Sequence, residues 1–420
     1  MPSSRLLILS NGHGEDQIAL RVLEALHSLR PRLALEVLPL VGEGQAYAAA
    51  ESSGWLRRIG PRRQLPSGGF SNQSLRGLRD DLAAGLPLLS WQQWRLVRLW
   101  GRSGDPLLAV GDLLPLLLAW ASGSRFGFIG TPKSDHTWAS SPPAGWGSSP
   151  LSDGYHRCKG SEWDPWEWAL MGSRRCPLVA CRDRLTARGL RRHGVSALAP
   201  GNPMMDGLAG SPLPAALSSR RRLLLLPGSR LPEALHNLAS LLDGLESATP
   251  GAAGPAWTLL LATGSRPGRQ ELEPLLSCRG FSPLSAASDL GASSSWQRGP
   301  LELHHGPGQF ARWAGWAELG LATAGTATEQ LVGLGVPALS LPGPGPQFKP
   351  GFARRQSRLL GGAVQPCHSS AELSDRLRQL LASAPQRERL SRIGRRRMGR
   401  SGGSARLAEL IAERLLQDPA

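Results

Sequence analysis

Leu319 to Leu341 reads LGLATAGTATEQLVGLGVPALSL, and these 23 residues hold a strand, a Gly/Thr-rich turn, a helix start and a second strand. Gly320 to Thr323 closes a short apolar strand. The small residues from Ala324 to Thr328 let backbone N–H groups face an anion, and Thr326 to Gly333 can open a helix whose positive end points at it. Glu329 falls in the first turn. There it can accept both hydroxyls of a ribose while the amides of Gly325 to Thr328 and the hydroxyls of Thr326 and Thr328 hold a diphosphate. The same letters also spell an ordinary capping box, Thr326 with Glu329, and the stretch alone leaves both readings open.

Outward from this clamp, the second half repeats one grammar. Arg222 to Leu226 reads as a strand, Pro227-Gly-Ser-Arg230 as a turn and Pro232 to Leu245 as a helix. Trp257 to Ala262 and Leu301 to His304 are further strands, and Gly268 to Ser277, Phe352 to Leu360 and Ala371 to Ala382 are helices. Gly228, Ser229 and Arg230 thus sit at the same kind of strand-to-helix junction as the clamp, where amides and a guanidinium suit a phosphate. Ser282 to Gly299 reads as a low-complexity, exposed insertion.

The first half has the same grammar. Arg5 to Ser10 is a buried strand, followed by Asn11-Gly-His-Gly-Glu-Asp16 and a helix carrying Ile18, Leu20, Val22, Leu23 and Leu26. Strands follow at Leu33 to Val41, Leu107 to Gly111, Arg125 to Ile129, Pro177 to Cys181 and Ala197 to Pro200, with helices at Leu113 to Trp120 and Arg182 to His193. Pro61 to Gly69 reads as a basic loop. Thr131 to Trp168 is a long Pro/Gly/Ser-rich segment with five Trp, readable either as a lid or acceptor-recognition region or as loop packing. The expectation is an α/β chain of two β/α domains, 1–203 and 204–385, then basic and amphipathic helices over 386–420 that pack back on the first domain.

The 420 residues carry a net charge of +16, which favours an anionic partner, though nearly all of it is Arg in an Arg/Ala/Gly/Leu-rich composition. No nucleic-acid motif appears, so nucleic acid is not expected. The five cysteines form no C-x-x-C pair and no ligand spacing, so neither a metal nor a disulfide framework nor any other cofactor is implied. Leu6 to Leu9 is far short of a signal-peptide core, and Leu107 to Ala121 is broken by Asp112 and Pro115. The expected location is the cytoplasm, peripheral on the inner face of the plasma membrane. Gly85 to Arg102, GLPLLSWQQWRLVRLWGR, puts Leu88, Trp91, Leu96 and Leu99 near one helical face with Arg95, Arg98 and Arg102 on its flank. That suits an interfacial helix, and equally a helix packed on its own sheet. The eight arginines between Arg387 and Arg406 could meet anionic headgroups or simply be solvated.

His13 and Asp112 each follow a first-domain strand and are candidates for a general base. Asp112 can equally N-cap the Leu113 helix. Glu15 and Asp16 read as first-turn carboxylates favoured by the helix dipole.

LPGSRLPEALHNL (Leu226 to Leu238), ATAGTATEQLVGLGVPAL (Ala322 to Leu339) and PGNPMMDGL (Pro200 to Leu208) resemble the corresponding motifs of the lipid-A-disaccharide synthases. AVGD (Ala109 to Asp112) is similar to the site of that family's catalytic aspartate. The resemblance spans both halves and implies a GT-B glycosyltransferase: two facing Rossmann-like domains with a cleft between them and the donor held mainly by the second. It implies donor contacts at Gly228, Ser229, Arg230, Gly325, Thr326, Ala327, Thr328, Glu329, Gln330 and Gln347. Lys349, Arg354 and Gln356 lie where GT-B relatives contact the sugar. Two departures stand out. Ser10-Asn-Gly-His-Gly-Glu-Asp16 looks more like the Gly-x-Gly-His loops of other lipid-directed GT-B enzymes, and Pro115 replaces a second aspartate. The chain therefore resembles the synthase-related group more than the synthase proper.

The expected activity is metal-independent, inverting transfer of a sugar from a UDP-sugar to a lipid acceptor at an anionic membrane surface. In the synthase itself this means UDP-2,3-diacylglucosamine and an acylated glucosamine 1-phosphate giving lipid A disaccharide and UDP. The alternatives are a nucleotide-sugar epimerase of the same fold and a non-catalytic basic peripheral membrane protein.

Overall fold

The computed structural model describes residues 5–62, 75–208, 210–246, 248, 255–343 and 348–417, and their side chains except those of 13 and 75–78. Gln347 and most of the basic loop expected at Pro61 to Gly69 lie outside the described residues. The chain divides into two compact units. The first comprises Met1–Asp135, Leu151–Asp206 and Arg400–Ala420, and the second His136–Pro150 and Gly207–Gly399.

The first unit is built on β1 (Arg5–Ser10), β2 (Ala34–Pro39), β3 (Leu56–Arg58), β4 (Leu107–Gly111), β5 (Phe126–Gly130), β6 (Leu178–Cys181) and β7 (Ala197–Leu198). They form one parallel sheet in the order β3-β2-β1-β4-β5-β6-β7. β1 and β4 lie side by side at the reversal of strand order, with Leu7 opposite Leu107 and Ser10 opposite Val110. Helices cover both faces of such a sheet, which is why RLLILS and LLAVG are near-continuous apolar runs. On the helix His13–Leu29, Ile18, Ala19, Val22, Leu23 and Leu26 are buried, and this helix packs against the last one, Gly403–Arg414, through its buried Leu407, Ala408 and Ile411. The Asp206 carboxylate accepts from the N–H of Gly402 and, at 2.7 Å, from that of Ser404, satisfying orphan donors at the start of that last helix.

The second unit holds β8 (Arg221–Leu226), β9 (Trp257–Thr263), β10 (Ser282–Leu284), β11 (Ser294–Arg298), β12 (Leu301–Pro307), β13 (Leu319–Ala322), β14 (Ala338–Ser340) and β15 (Val364–Pro366). Their order is β10-β11-β12-β9-β8-β13-β14-β15, parallel except for the edge pairs β10–β11 and β11–β12. β8 and β13 are its central neighbours at the reversal, with Leu223 opposite Leu319 and Leu226 opposite Ala322. The core beneath them is mainly leucine, including Leu223, Leu225, Leu238, Leu241, Leu259 and Leu321. Each such side chain contributes about 1.5–3 kcal/mol when fully buried.

Two expectations change. The exposed insertion at Ser282 to Gly299 contains β10 and β11, and Trp296 on β11 is fully buried in the second unit's core. The Ser/Ala-rich letters hid a hairpin to β12 closed by Gly299 and Pro300. The long segment 131–168 contains the helices His136–Ala139, Pro150–Lys159 and Pro165–Met171, and most of its Trp residues pack. Trp163 is fully buried in the first unit, Trp168 stacks on His193 with ring centroids 3.6 Å apart, and within the second unit Trp146 stacks on His368 at 4.3 Å. The helix Ala384–Met398 belongs to the second unit and Gly403–Arg414 to the first.

Candidate functional site

In a doubly wound sheet, ligands bind outside the carboxyl ends of the strands where the order reverses. In the first unit that point lies between β1 and β4. Gly111, the last residue of β4, has φ +135°, and a Cβ there would come within 3.0 Å of Asn11, 3.2 Å of Pro115 and 3.4 Å of Glu15. Only glycine lets the two strand ends close up in this way. Asp112 follows and does N-cap the helix Leu113–Ala121, its Oδ1 accepting from Leu114 N at 3.2 Å and from Asn11 Nδ2 at 2.7 Å. Burial nonetheless holds the Asp112 carboxyl above its usual range, against the pull of the Leu114 amide and the Lys133 ammonium.

Glu15, half-buried beside Asp112, is pushed up to about 7, first by burial and then by the negative charges of Asp112 and Asp16. Thr131, just past β5, donates its hydroxyl to Glu15 Oε1 at 3.4 Å. Asp16 lies deeper and is almost wholly buried. Burial raises it to about 6 despite a hydrogen bond with Ser10, whose Oγ accepts from Tyr47 Oη at 2.9 Å, and Asp16 Oδ1 has no hydrogen-bond partner. Glu15 is the residue the sequence reading passed over as a dipole-compensating acid; its place directly after the Gly-His-Gly turn was the available signal. His13 opens the helix His13–Leu29 behind Gly12, which lies at φ 115°, and its side chain lies outside the described residues.

In the second unit the corresponding point lies between β8 and β13. Thr323 N donates to Leu226 O at 2.9 Å and ties the two strand ends together. Gly325, not Thr326, is the N-cap of the helix Thr326–Gly333, so the expected Thr326–Glu329 capping box does not form and the N-cap residue has no side chain to offer. The first amides of such a helix start suit an anion. Thr326 is exposed on the first turn, with Ala327 and Glu329 half-buried. Thr328 differs from expectation. It is fully buried and its hydroxyl donates to Ala324 O at 2.6 Å, so it shapes the turn from inside. Gln330 is buried as well.

Gln356 also supports the turn rather than facing solvent. It is buried, and its Nε2 donates to Gly325 O at 3.1 Å and more weakly to Ala324 O at 3.4 Å. Arg354 is engaged with the second unit's own 136–150 segment, donating to Gly147 O at 2.8 Å and Ser149 Oγ at 2.6 Å, while Lys349 is exposed.

Across from the clamp, Gly228 follows β8 with φ +98°, and a Cβ there would meet nothing within 4 Å. Ser229 is exposed and Arg230 half-buried, its pKa lowered by burial against the smaller opposing pull of Glu233. Asn237 Nδ2 donates to Pro227 O at 3.0 Å and fixes this turn from behind. Two glycine turns thus end two adjacent parallel strands.

No family model matches the sequence, and no curated protein matches it. Solved structures do. Among them are the calicheamicin glycosyltransferase CalG4 (TM-score 0.60, 14% identity, 99% of this chain and 99% of that one) and MurG of Acinetobacter baumannii (TM-score 0.53, 14% identity, 98% and 99%). A third is the UDP-GlcNAc 2-epimerase of Neisseria meningitidis bound to UDP-GlcNAc (TM-score 0.53, 13% identity, 99% and 100%). The fold is GT-B. At these identities the likeness is one of fold, and it spans the whole chain.

Proposed function

We propose that the protein is a glycosyltransferase that moves a sugar from a UDP-sugar to a hydroxyl of a lipid acceptor, in a synthesis like that of lipid A disaccharide or a related glycolipid. The observation that carries this reading is the contrast between the two reversal points. One is a helix start with glycine at its N-cap, beside the strand whose turn carries Arg230, and the other holds a carboxyl raised to about 7. UDP would lie with its diphosphate on the amides of 325–328 and on Arg230, and with its ribose on Glu329. Glu15, near neutrality in its proton affinity, would take the proton as the acceptor oxygen bonds to the anomeric carbon and the bond from that carbon to the diphosphate oxygen breaks. UDP leaves with the electron pair, and the anomeric configuration inverts. Asp112 and His13 are the competing bases, Asp112 by the family resemblance and His13 by its chemistry at neutral pH.

One observation favours a second reading, a nucleotide-sugar epimerase. Three carboxylates, Glu15, Asp16 and Asp112, gather at one strand end, and epimerisation needs several acid/base groups around the sugar. Epimerases also stand among the structural neighbours.

The deciding experiment incubates the protein with a panel of UDP-sugars, with and without extracted membrane lipids, and follows UDP release and products by mass spectrometry. A new glycolipid formed only with lipid present supports transfer. Interconversion of UDP-sugars without lipid supports the epimerase, and neither product overturns both.

A further inference from the structure

The helix Leu86–Arg102 buries Leu89, Gln93, Val97 and Trp100, spaced four, four and three residues apart on one face. Of the stripe Leu88, Trp91, Leu96 and Leu99, which suited either an interfacial or a sheet-packed helix, Leu96 packs partly against the core and the other three point away from it. Leu88 is 54% exposed, Trp91 50%, Trp94 44% and Leu99 55%. The helix is therefore apolar on two faces, and the sheet uses only one.

The next helix, Leu113–Ala121, repeats this. Leu114, Leu117 and Trp120, three residues apart, are each at least 40% exposed, on a helix that is apolar all round and would ordinarily be fully buried. The two helices pack together, and the approach is close enough that a Cβ on Gly101 would fall 2.0 Å from Ser122 O. At that junction Arg98 donates to Ala121 O at 2.9 Å with its guanidinium 6.0 Å from the Trp94 ring. Arg95 lies 4.7 Å from the Trp91 ring, and Arg175 lies 5.8 Å from the Trp120 ring and donates to Trp120 O. Neither helix contains an Asp or Glu.

We infer that this two-helix face docks on the surface of an anionic phospholipid bilayer. Tryptophan and leucine would enter the headgroup boundary, and the arginines stacked on them would meet lipid phosphates. Charge decides between this occupant and a second copy of the chain, because a two-fold interface would set these arginines against their own counterparts with no carboxylate from either helix between them. Among the described residues no helix is long and apolar enough to cross a membrane, so contact through this face would be peripheral.

The test uses the full chain without sugar donor, so its failure is separate from failure of the transferase reading. Sedimentation is measured with phosphatidylcholine vesicles alone or mixed with phosphatidylglycerol. Binding is expected to the mixed vesicles, to weaken as salt rises, and to be lost at least tenfold in Trp91→Ser/Trp94→Ser/Trp120→Ser. Arg95→Gln/Arg98→Gln should erode the preference for anionic lipid by about fivefold per charge. All five side chains are exposed, so the tryptophan variant should melt with the parent, and the arginine variant, which also loses the Arg98 bond to Ala121 O, should melt within a few degrees of it. Absence of binding to mixed vesicles at low salt overturns the inference. So does sedimentation equilibrium showing self-association that the tryptophan variant abolishes while vesicle binding is unchanged.

Discussion

Where strand order reverses, the first sheet presents Asn11, Glu15 and Asp112, and the second presents Gly228, Ser229, Arg230 and Gly325. The scaffolds correspond. In each, two central parallel strands rich in leucine end side by side with a glycine at or just after each strand end, and the turns differ in what they add to that glycine. On the second sheet the additions are small or cationic, so the helix dipole and amides set the local potential. On the first they are carboxylic, and burial opposes their ionisation. On the proposed reading, one geometry thus yields an anion receptor and a proton acceptor. The comparison can be broken at either end.

The largest effect should come from the acidic end. Glu15→Gln keeps the shape and removes the basic site, and turnover should fall about 10²- to 10⁴-fold with UDP affinity unchanged by calorimetry. Asp112→Asn retains the cap and the Asn11 contact but removes a charge that raises Glu15. Its pH–rate profile, which in the parent should rise through about pH 7, should therefore shift to lower pH with a smaller loss of rate. Near-full turnover in Glu15→Gln beside an inactive Asp112→Asn would make Asp112 the base and Glu15 the bystander.

At the other end, Glu329→Ala and Arg230→Ala should each weaken UDP about tenfold or more, the usual range for a hydrogen bond to a charged group being about 1.5–3 kcal/mol. Both side chains are at least partly exposed, so thermal melts should stay close to the parent's. If either variant binds UDP normally while folded, that side chain has no part in holding the donor.

How much of this was legible follows from what each feature depends on. The central strands and their glycine turns were readable because continuous apolar runs and helix starts are local signals. Glu15 was not, because its proton affinity is set by burial and by the charge of Asp112, which lies far away in the sequence. β11 was hidden because Trp296 is its one large apolar anchor in a Ser-rich run. The Leu86–Arg102 helix has two apolar faces, so periodicity alone could not say which one the sheet uses.

A third prediction turns Glu15 against its own unit. Its folded pKa, about 7, stands above the ordinary value of 4.5, so the native state holds this proton more tightly, and the stability this contributes is lost as pH rises through about 7. Activity should therefore rise over the range where stability falls. Above that range Glu15→Gln no longer carries the buried charge and should be more stable than the parent by on the order of 2 kcal/mol, a few degrees in Tm, with the difference vanishing below about pH 4.5. Equal melting temperatures on both sides of pH 7 would mean the carboxyl is solvated and ordinary.

The smallest effect separates a residue that touches the donor from one that shapes what touches it. Thr326 and Thr328 sit two apart in the same turn, one exposed and one fully buried with its hydroxyl on Ala324 O. Valine matches threonine in shape, so Thr328→Val removes that hydrogen bond and leaves Ala324 O with only the long 3.4 Å contact from Gln356, at a cost of about 1 kcal/mol of stability. UDP affinity should change less than about threefold, because the amides that face the ligand keep their positions. Thr326→Val should do the reverse, leaving the melt unchanged and weakening UDP if its hydroxyl reaches the diphosphate. A pair of variants in which Thr328→Val lost UDP and kept its melting temperature would show that the turn opens when the donor binds and that the buried hydroxyl is a ligand after all.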